Sequence, residues 1–425
     1  MSAEGRFKTT GRALNTAVQL YTHWWNVRHS LPLDRAVEAQ FREQRTLNSG
    51  ERRWIAELVY GSVRYWRRTG FLLKRLGLPD TPELRIHVQA AETGGALPHF
   101  LQVGPESLAS ARLHLPQRNM PADYLRITLS FPDDLAAELE AQLGPEAIAA
   151  AEALNTQAPT TLRVNTLRAT RAKVLAVLPD AEPTRFAPQG VILSGRVHLP
   201  SLSGFREGWF EAQEEASQLA AWWTEAQPGQ TVVEVGAGGG GKTLALAAQM
   251  QNRGRILAID SAPSRLEELK KRVRRAGVNC VETVRVVAGT EGLWEPHRDW
   301  ERWIGRADVA LLDAPCTGSG ILRRNPDTKW RMVDCEAFSQ LQANLLRQSA
   351  AFVAPGGTLL YVTCALERWQ NEAVVEAFLN STLGANFTLE PLAPDFPNRT
   401  PGLFLRTWPH LHNLDAFFLA RLRRT

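Results

Sequence analysis

Cysteine is scarce in this chain, with four among 425 residues. So few thiols in so long a chain do not make a disulfide framework. No two of them stand two to four residues apart, the usual spacing of zinc ligands, so no metal is expected. Reduced thiols are the expectation. Long apolar runs are missing as well, and none approaches the length of a membrane span. The opening MSAEGRFKTTGR has basic residues with no apolar stretch behind it, so the expectation is the cytoplasm rather than secretion. Internal repeats and low-complexity segments are lacking, which argues against repeat arrays and disordered tracts.

What remains is ordinary globular material. Hydrophobic residues make up 44% and charged residues 22% of the chain. Its length predicts two or three domains. The formal net charge of +5 suits a polyanionic partner without naming one.

Three stretches differ in texture. Residues 1–128 are helical in pattern and rich in Arg and Trp. In SGERRWIAELVYGSVRYW, residues Trp54, Leu58, Gly61 and Tyr65 recur at helical spacing and predict one apolar face. Ser49 is the expected N-cap, with Arg52 three residues on and therefore no capping box. Arg64, Arg67, Arg68, Lys74 and Arg75 form a basic run, which is either a solvated face or an RNA contact. The Trp residues are expected in the core.

Residues 129–208 read as a small α/β unit, with LRVNTLR, GVILSG and RVHLP as strands and ATRAKVLAVL as a helix. Residues 209–425 alternate apolar strands with helices: TVVEVGAG, RILAID, ETVRVVAG, DVALLDAP and GGTLLYVTC are the strands. Such alternation predicts an α/β, Rossmann-like parallel sheet covered on both faces. Ligands of that fold bind at the carboxyl ends of the strands.

Gly236 to Thr243 reads GAGGGGKT between a strand and a helix. This matches a phosphate-binding loop, with Lys242 reaching the phosphates and Asp313 offering a magnesium ligand. The other reading is a loop for S-adenosylmethionine. Gly236, Ala237, Gly238, Gly239, Gly240, Gly241 and Lys242 would then line the cofactor. Glu234 stands near that strand's end, and Asp260 ends RILAID, where a carboxylate can accept both ribose hydroxyls. The cysteines decide between the two. Cys316 follows DAP after one strand and Cys364 ends the strand TLLYVTC, so both thiols reach the carboxyl edge of the sheet. Cys280 and Cys335 stand in no such context and are expected to be buried small hydrophobes.

These segments resemble the bacterial small-subunit ribosomal RNA cytosine-5 methyltransferases of the NOL1/NOP2/Sun family (RsmB-like). The resemblance rests on LRVNTLR, WFEAQEEASQLAA, GAGGGGKT, RILAID, DAPCTGSGILRRNPDTKW, LLYVTCALERWQNE and NLDAFFLARL, covering about residues 160 to 425. The first 128 residues are similar to a NusB-like helical domain at LNSGERRWIAELVYGSVRYW. The resemblance implies Cys364 as nucleophile, Cys316 in product release, Lys242 and the glycine loop at the cofactor and target, and Asp260 and Asp313 as further contacts. It implies an RNA partner, no membrane and a monomer. The chain departs from the family at Gly239, where proline is usual, at Gly289 or Thr290, where an acid is usual and Glu291 is a possible substitute, and at Ala416, where glycine is usual.

That chemistry needs two thiols. Adding a thiolate to C6 of cytosine puts electron density on C5, which then takes a methyl group. Asp313 is the expected acid on the N3 side of the base. Arg323, Arg324 and Lys329 are candidates for holding flanking phosphates, against a solvated loop. Two alternatives stand beside this reading. One is a nucleotide hydrolase built on GAGGGGKT, which gives Cys364 no role. The other is an RNA-binding assembly factor of the same fold without catalysis.

Overall fold

The structure, a computed structural model, describes residues 11–95, 97, 101, 103, 105–195, 197–287, 301–397 and 402–425. It divides into two compact units. One holds the residues up to Thr156 together with Leu322–Met332; the other holds Gln157–Ile321 and Val333–Thr425. A short piece of the later chain returns to the helical unit.

The helical unit contains α1 (Gly11–Val27), α2 (Leu33–Glu43), α3 (Ser49–Arg64), α4 (Trp66–Arg75), α5 (Pro82–Glu92), α6 (Pro105–Leu113), the single turn α7 (Pro121–Asp123), α8 (Asp133–Leu143) and α9 (Ala147–Leu154). In α1, Ala13, Ala17, Leu20, Tyr21 and Trp24 are buried at three- and four-residue spacing. In α3 the buried face is Ile55, Leu58, Val59, Ser62 and Val63. It is rotated from the expected one, because Trp54 and Tyr65 are only half-buried.

The N-cap of α3 is Asn48, one residue before the expected Ser49, and a capping box is present. Asn48 Oδ1 accepts from Glu51 N at 2.9 Å, and Glu51 Oε2 accepts from Asn48 N at 3.0 Å. The tryptophans belong to the core as expected. Trp25 and Trp66 stack at 4.3 Å, and Trp66 meets Trp330 at 5.8 Å.

Leu322–Met332 is pinned to this unit by polar contacts. Asp327 Oδ2 accepts from Leu33 N at 3.3 Å, and Trp330 Nε1 donates to Val63 O at 2.8 Å. Lys329 Nζ donates to Asn155 Oδ1 at 2.7 Å and Ser130 O at 3.2 Å, and lies 3.8 Å from the centre of the Phe131 ring. Burial, with Arg64 adding repulsion, holds its ammonium well below the usual lysine range.

The second unit begins with a four-stranded antiparallel sheet in the order β2-β3-β1-β4. Its strands are β1 (Thr160–Val164), β2 (Ala181–Pro183), β3 (Gly190–Leu193) and β4 (Phe210–Ala212), with α10 (Arg171–Val177) between β1 and β2. LRVNTLR, GVILSG and the helix are as expected. The described residues of RVHLP form no strand: Leu199–Ser201 is a 3-10 turn whose Leu199 packs against the core of the sheet, and Val197 is exposed.

After α11 (Glu215–Trp222) comes the large sheet. Its elements are β5 (Thr231–Val235), α12 (Gly241–Gln249), β6 (Arg255–Asp260), α13 (Pro263–Ala276), β7 (Val281–Arg285), β8 (Ala307–Asp313), α14 (Cys335–Phe352), β9 (Val353–Thr363), α15 (Glu372–Leu379), β10 (Phe387–Glu390), β11 (Leu405–Arg406) and β12 (Phe418–Arg424). The order is β10-β12-β9-β8-β5-β6-β7, with β11 on β12. The five strands β5 to β9 are parallel, and β12 runs antiparallel between β9 and β10.

Alternation along the strands builds two cores. Val233, Val235, Leu257, Leu312 and Tyr361 face α14, while Val232, Ile256, Leu311 and Leu360 face α11 and α12. Each such side chain stabilises by about 1.5–3 kcal/mol on full burial. No helix among the described residues is long and apolar enough to cross a membrane. The carboxyl ends of β5, β6, β8 and β9 therefore deliver Val235, Asp260, Asp313 and Thr363 to one edge.

The capping box predicts that Asn48→Ala lowers unfolding stability by about 1 kcal/mol in urea titration, while Asn48→Asp retains most of it. An unchanged midpoint for the alanine variant would show that the cap does not contribute.

Candidate active site

The glycine loop is held from both sides. Gly236 N and Ala237 N donate to Ile259 O at 2.9 and 3.0 Å. Gly236 has φ of +81°, and a Cβ there would sit 2.3 Å from Asp313 O, so the close approach of β5 to β8 requires glycine. Gly238 N donates to Asp260 Oδ2 at 2.8 Å, and Ala262 N donates to Asp260 Oδ1 at 2.7 Å. The carboxylate expected to meet ribose hydroxyls thus also braces the loop. At Gly239, an added Cβ would meet the Arg272 guanidinium at 3.5 Å, an ordinary contact, and Gly239 O accepts from Arg272 at 2.8 Å. The position therefore has room for a Cβ.

Lys242 lies in the first turn of α12 and is buried. Its Nζ donates to Asp313 Oδ2 at 2.7 Å. Burial opposes its charge, but Asp313, with Glu234 and Cys364 adding, lifts its pKa above the ordinary lysine value. Glu234 is 1% exposed and lies beneath the loop rather than at its edge. It accepts from Thr243 Oγ1. Burial pushes it up to about 8, against the Thr243 bond and Lys242, which pull it down.

Cys316 Sγ and Cys364 Sγ are 3.4 Å apart. The hydrogen bond shared with Cys364 holds Cys316 below the ordinary thiol range. That same bond, then burial and the neighbouring Cys316, holds Cys364 well above it. The first proton leaves the pair readily, and the second is retained.

The chain carries a polar frame that sequence reasoning missed. Gly320 N donates to Cys364 O at 2.8 Å, and Ala416 N donates to Gly320 O at 3.0 Å. A Cβ on Gly320 would lie 2.0 Å from Ala416 O, so this seam requires glycine. Gln370 Oε1 accepts from Thr317 N at 2.9 Å, while its Nε2 donates to Thr317 Oγ1 and to Glu367 at 2.9 Å each. Gln342 Nε2 donates to Pro315 O at 2.8 Å. The only signal available was that ALERWQNE directly follows the TC pair.

Other expectations fare differently. Arg323 and Lys329 are buried in the helical unit, where Arg323 O accepts from Arg64 at 3.1 Å, so neither is a surface phosphate contact. In the basic run, Arg67 pairs with Asp133 at 2.7 Å and Arg68 with Glu92 at 2.5 Å, while Lys74 and Arg75 are exposed. Cys280 packs against the core, but Cys335 is exposed at the start of α14, where its position at a helix N-terminus outweighs its hydrophobicity. Gly289, Thr290 and Glu291 lie outside the described residues.

A parallel sheet with a glycine loop after β5, an acid closing β6 and two thiols at neighbouring strand ends defines a Rossmann-like methyltransferase. The profile of the 16S rRNA methyltransferase RsmB/F family matches residues 221–423, and that of its ferredoxin-like domain matches residues 131–199. The chain is 32% identical to the probable ribosomal RNA small subunit methyltransferase B of Synechocystis, over 92% of this chain and 94% of that protein. Among solved structures, PH0851 superposes with a TM-score of 0.79 at 26% identity, covering 98% of this chain and 100% of its own. A methyltransferase homolog from Pyrococcus horikoshii gives 0.60 at 28% identity, over 71% of this chain and 98% of its own. The chain belongs to the 16S ribosomal RNA methyltransferase RsmB/F family.

Glu234 carries a pH dependence of stability. Its folded pKa of about 8 lies above its ordinary 4.5, so its favourable contribution is complete below pH 4.5 and is lost as pH rises to about 8. Glu234→Gln should therefore gain on the wild type across that window, by up to about 1.4 kcal/mol per pH unit in denaturant titrations. A constant difference from pH 5 to 9 would show that Glu234 is ionised throughout.

Proposed function

We propose that this family member methylates C5 of a cytidine in small-subunit ribosomal RNA through a covalent bond from Cys364 to C6. The observation that supports this reading best is the 3.4 Å pair of sulfurs at the ends of β8 and β9. S-adenosylmethionine supplies the methyl group, and the residues present fit it. Gly236 and Gly238 adopt positive φ with no side chain to obstruct a ligand, and Asp260 closes the neighbouring strand.

Cys364, held protonated in the resting pair chiefly by its bond to Cys316 and by burial, passes its proton to Cys316 and adds to C6 as thiolate, with Lys242 favouring the charge it gains. Asp313, paired with Lys242, is the candidate group for the N3 side of the base, where a proton donor lowers the cost of addition. Electron density then reaches C5, which would take the methyl as the sulfonium–methyl bond breaks, its electron pair staying on a neutral thioether, S-adenosylhomocysteine. Cys316, once it has released the Cys364 proton to solvent, removes the C5 proton. The electrons of that C–H bond restore the C5–C6 double bond, and the C6–S bond breaks to release Cys364 as thiolate. Cys316 thus performs product release. The helical unit, similar to NusB-like domains, contributes RNA contact, with exposed Lys74 and Arg75 as its cations. The target base must be unstacked, which looped RNA makes cheaper than a duplex.

The test is methyl transfer to unmodified 16S ribosomal RNA. Cys364→Ala should abolish both transfer and any covalent protein–RNA complex. Cys316→Ala should accumulate a complex stable to denaturing electrophoresis, and the double variant should lose it. The reverse pattern would exchange the two roles. Asp260→Ala should weaken S-adenosylmethionine in isothermal titration by roughly 10-fold or more, since each charge-assisted hydrogen bond is worth about 1.5–3 kcal/mol. A magnesium-dependent ATPase lost in Lys242→Ala would contradict the whole reading and favour the nucleotide hydrolase.

A further inference from the structure

A cavity of about 480 Å³ opens on the flank of the second unit. It is lined by the turn after β1, the loop before β3, the end of α11 and the distal half of α12. The glycine loop, Asp260, Asp313 and both site cysteines take no part in it. Its layers differ in character. Val164, Ala187, Ala245 and Ala248 form a buried apolar floor. At the mouth stands Trp222, 44% exposed, an unusual place for so large an apolar ring. Between them lie side-chain amides, Gln189 and Gln249 among them, and no carboxylate among the described residues lines the cavity.

Two side chains that line it each carry one polar atom, closed to solvent, that has no partner. Arg163 Nη2 and Gln218 Oε1 have no hydrogen-bond partner, although their residues are only 5% and 4% exposed. Arg163 Nε donates to Gln213 Oε1 at 2.7 Å. The nearby carboxylate, Glu211, already accepts from Arg272 at 3.0 Å and Arg275 at 2.5 Å. Buried polar groups of this kind ordinarily find partners.

An apolar slot with amide walls and an aromatic lip has the chemistry of a nucleobase pocket. Trp222 offers a stacking face, and glutamine amides match the paired donor and acceptor on a purine edge. The lack of carboxylates leaves nothing to repel the flanking phosphates. We propose that this cavity holds an unstacked purine of the substrate RNA, a nucleotide other than the one methylated. The proposal rests on the reading that RNA is the substrate, and it gives the second unit a grip on RNA remote from the cysteines.

The experiment is filter binding of the full chain to an unmodified 16S ribosomal RNA transcript at fixed salt. Trp222→Ala should weaken binding about tenfold, and Trp222→Phe should restore most of the loss. S-adenosylmethionine affinity should stay unchanged in both variants, which shows that the unit is folded. A transcript carrying 8-azidoadenosine should crosslink within residues 187–189, at Trp222 or within residues 245–251. Trp222→Ala binding within twofold of wild type would overturn the proposal. So would a loss seen only on partly assembled small-subunit particles, because the occupant would then be a ribosomal protein. Failure of the wild type to transfer methyl would strike the catalytic reading instead, since the binding measurement does not depend on it.

Discussion

Two backbone hydrogen bonds through Gly320 hold the site together. Cys364 O accepts from Gly320 N, and Gly320 O accepts from Ala416 N, so the loop after β8 is sewn to the end of β9 and to the approach to β12. Each bond contributes only about 0.5–1.5 kcal/mol net. Their consequence is positional: they fix the loop that carries Cys316 against the strand end that carries Cys364. Catalysis by two groups acting in turn on one ring depends on sub-ångström placement. The Gln370–Glu367–Thr317 frame serves the same end, holding the PC loop by side chains from the segment after the TC pair.

The charges around the cleft are graded by burial. Lys242 and Asp313 form a close pair, with Asp313 the more exposed partner. Glu234, deeper, retains its proton to about pH 8 and so withholds a second negative charge from the floor of the loop. The site therefore keeps one cation near the sulfur pair, where a thiolate forms, and Glu234 adds no charge beneath it. The loop GAGGGGKT looks like a phosphate cradle in letters. In space its lysine turns to an acid on β8, and its glycines allow β5 and β8 to approach.

The catalytic sheet was legible because its strands are short apolar runs ending in polar or glycine-rich turns, and burial on both faces leaves little ambiguity. Glu234 shows the limit of that reading: a carboxylate one residue from a strand end looks like a ligand, but the pleat turns it under the loop to Thr243. Lys329 and Arg323 show another. Basic residues in a polar loop read as solvent-facing, yet the loop is carried into the helical unit, where backbone carbonyls and Asn155 take the ammonium. The cap of α3 was misplaced by one residue because Asn48 and Ser49 are both good N-caps, and only the bond from Glu51 chooses between them. RVHLP has strand-like composition, yet its Leu199–Ser201 end turns as a 3-10 helix. The cavity beside Trp222 left no mark on the sequence, since its walls come from four separated segments.

The central claim is that Cys364, rather than Cys316, bonds to the base. RNA in which 5-fluorocytidine replaces cytidine tests it most directly, because fluorine at C5 cannot leave as a proton does and the adduct is trapped after methylation. Peptide mass spectrometry of the trapped complex should place the modified nucleotide on Cys364. An adduct on Cys316, or methylated RNA recovered with no adduct at all, would contradict the account.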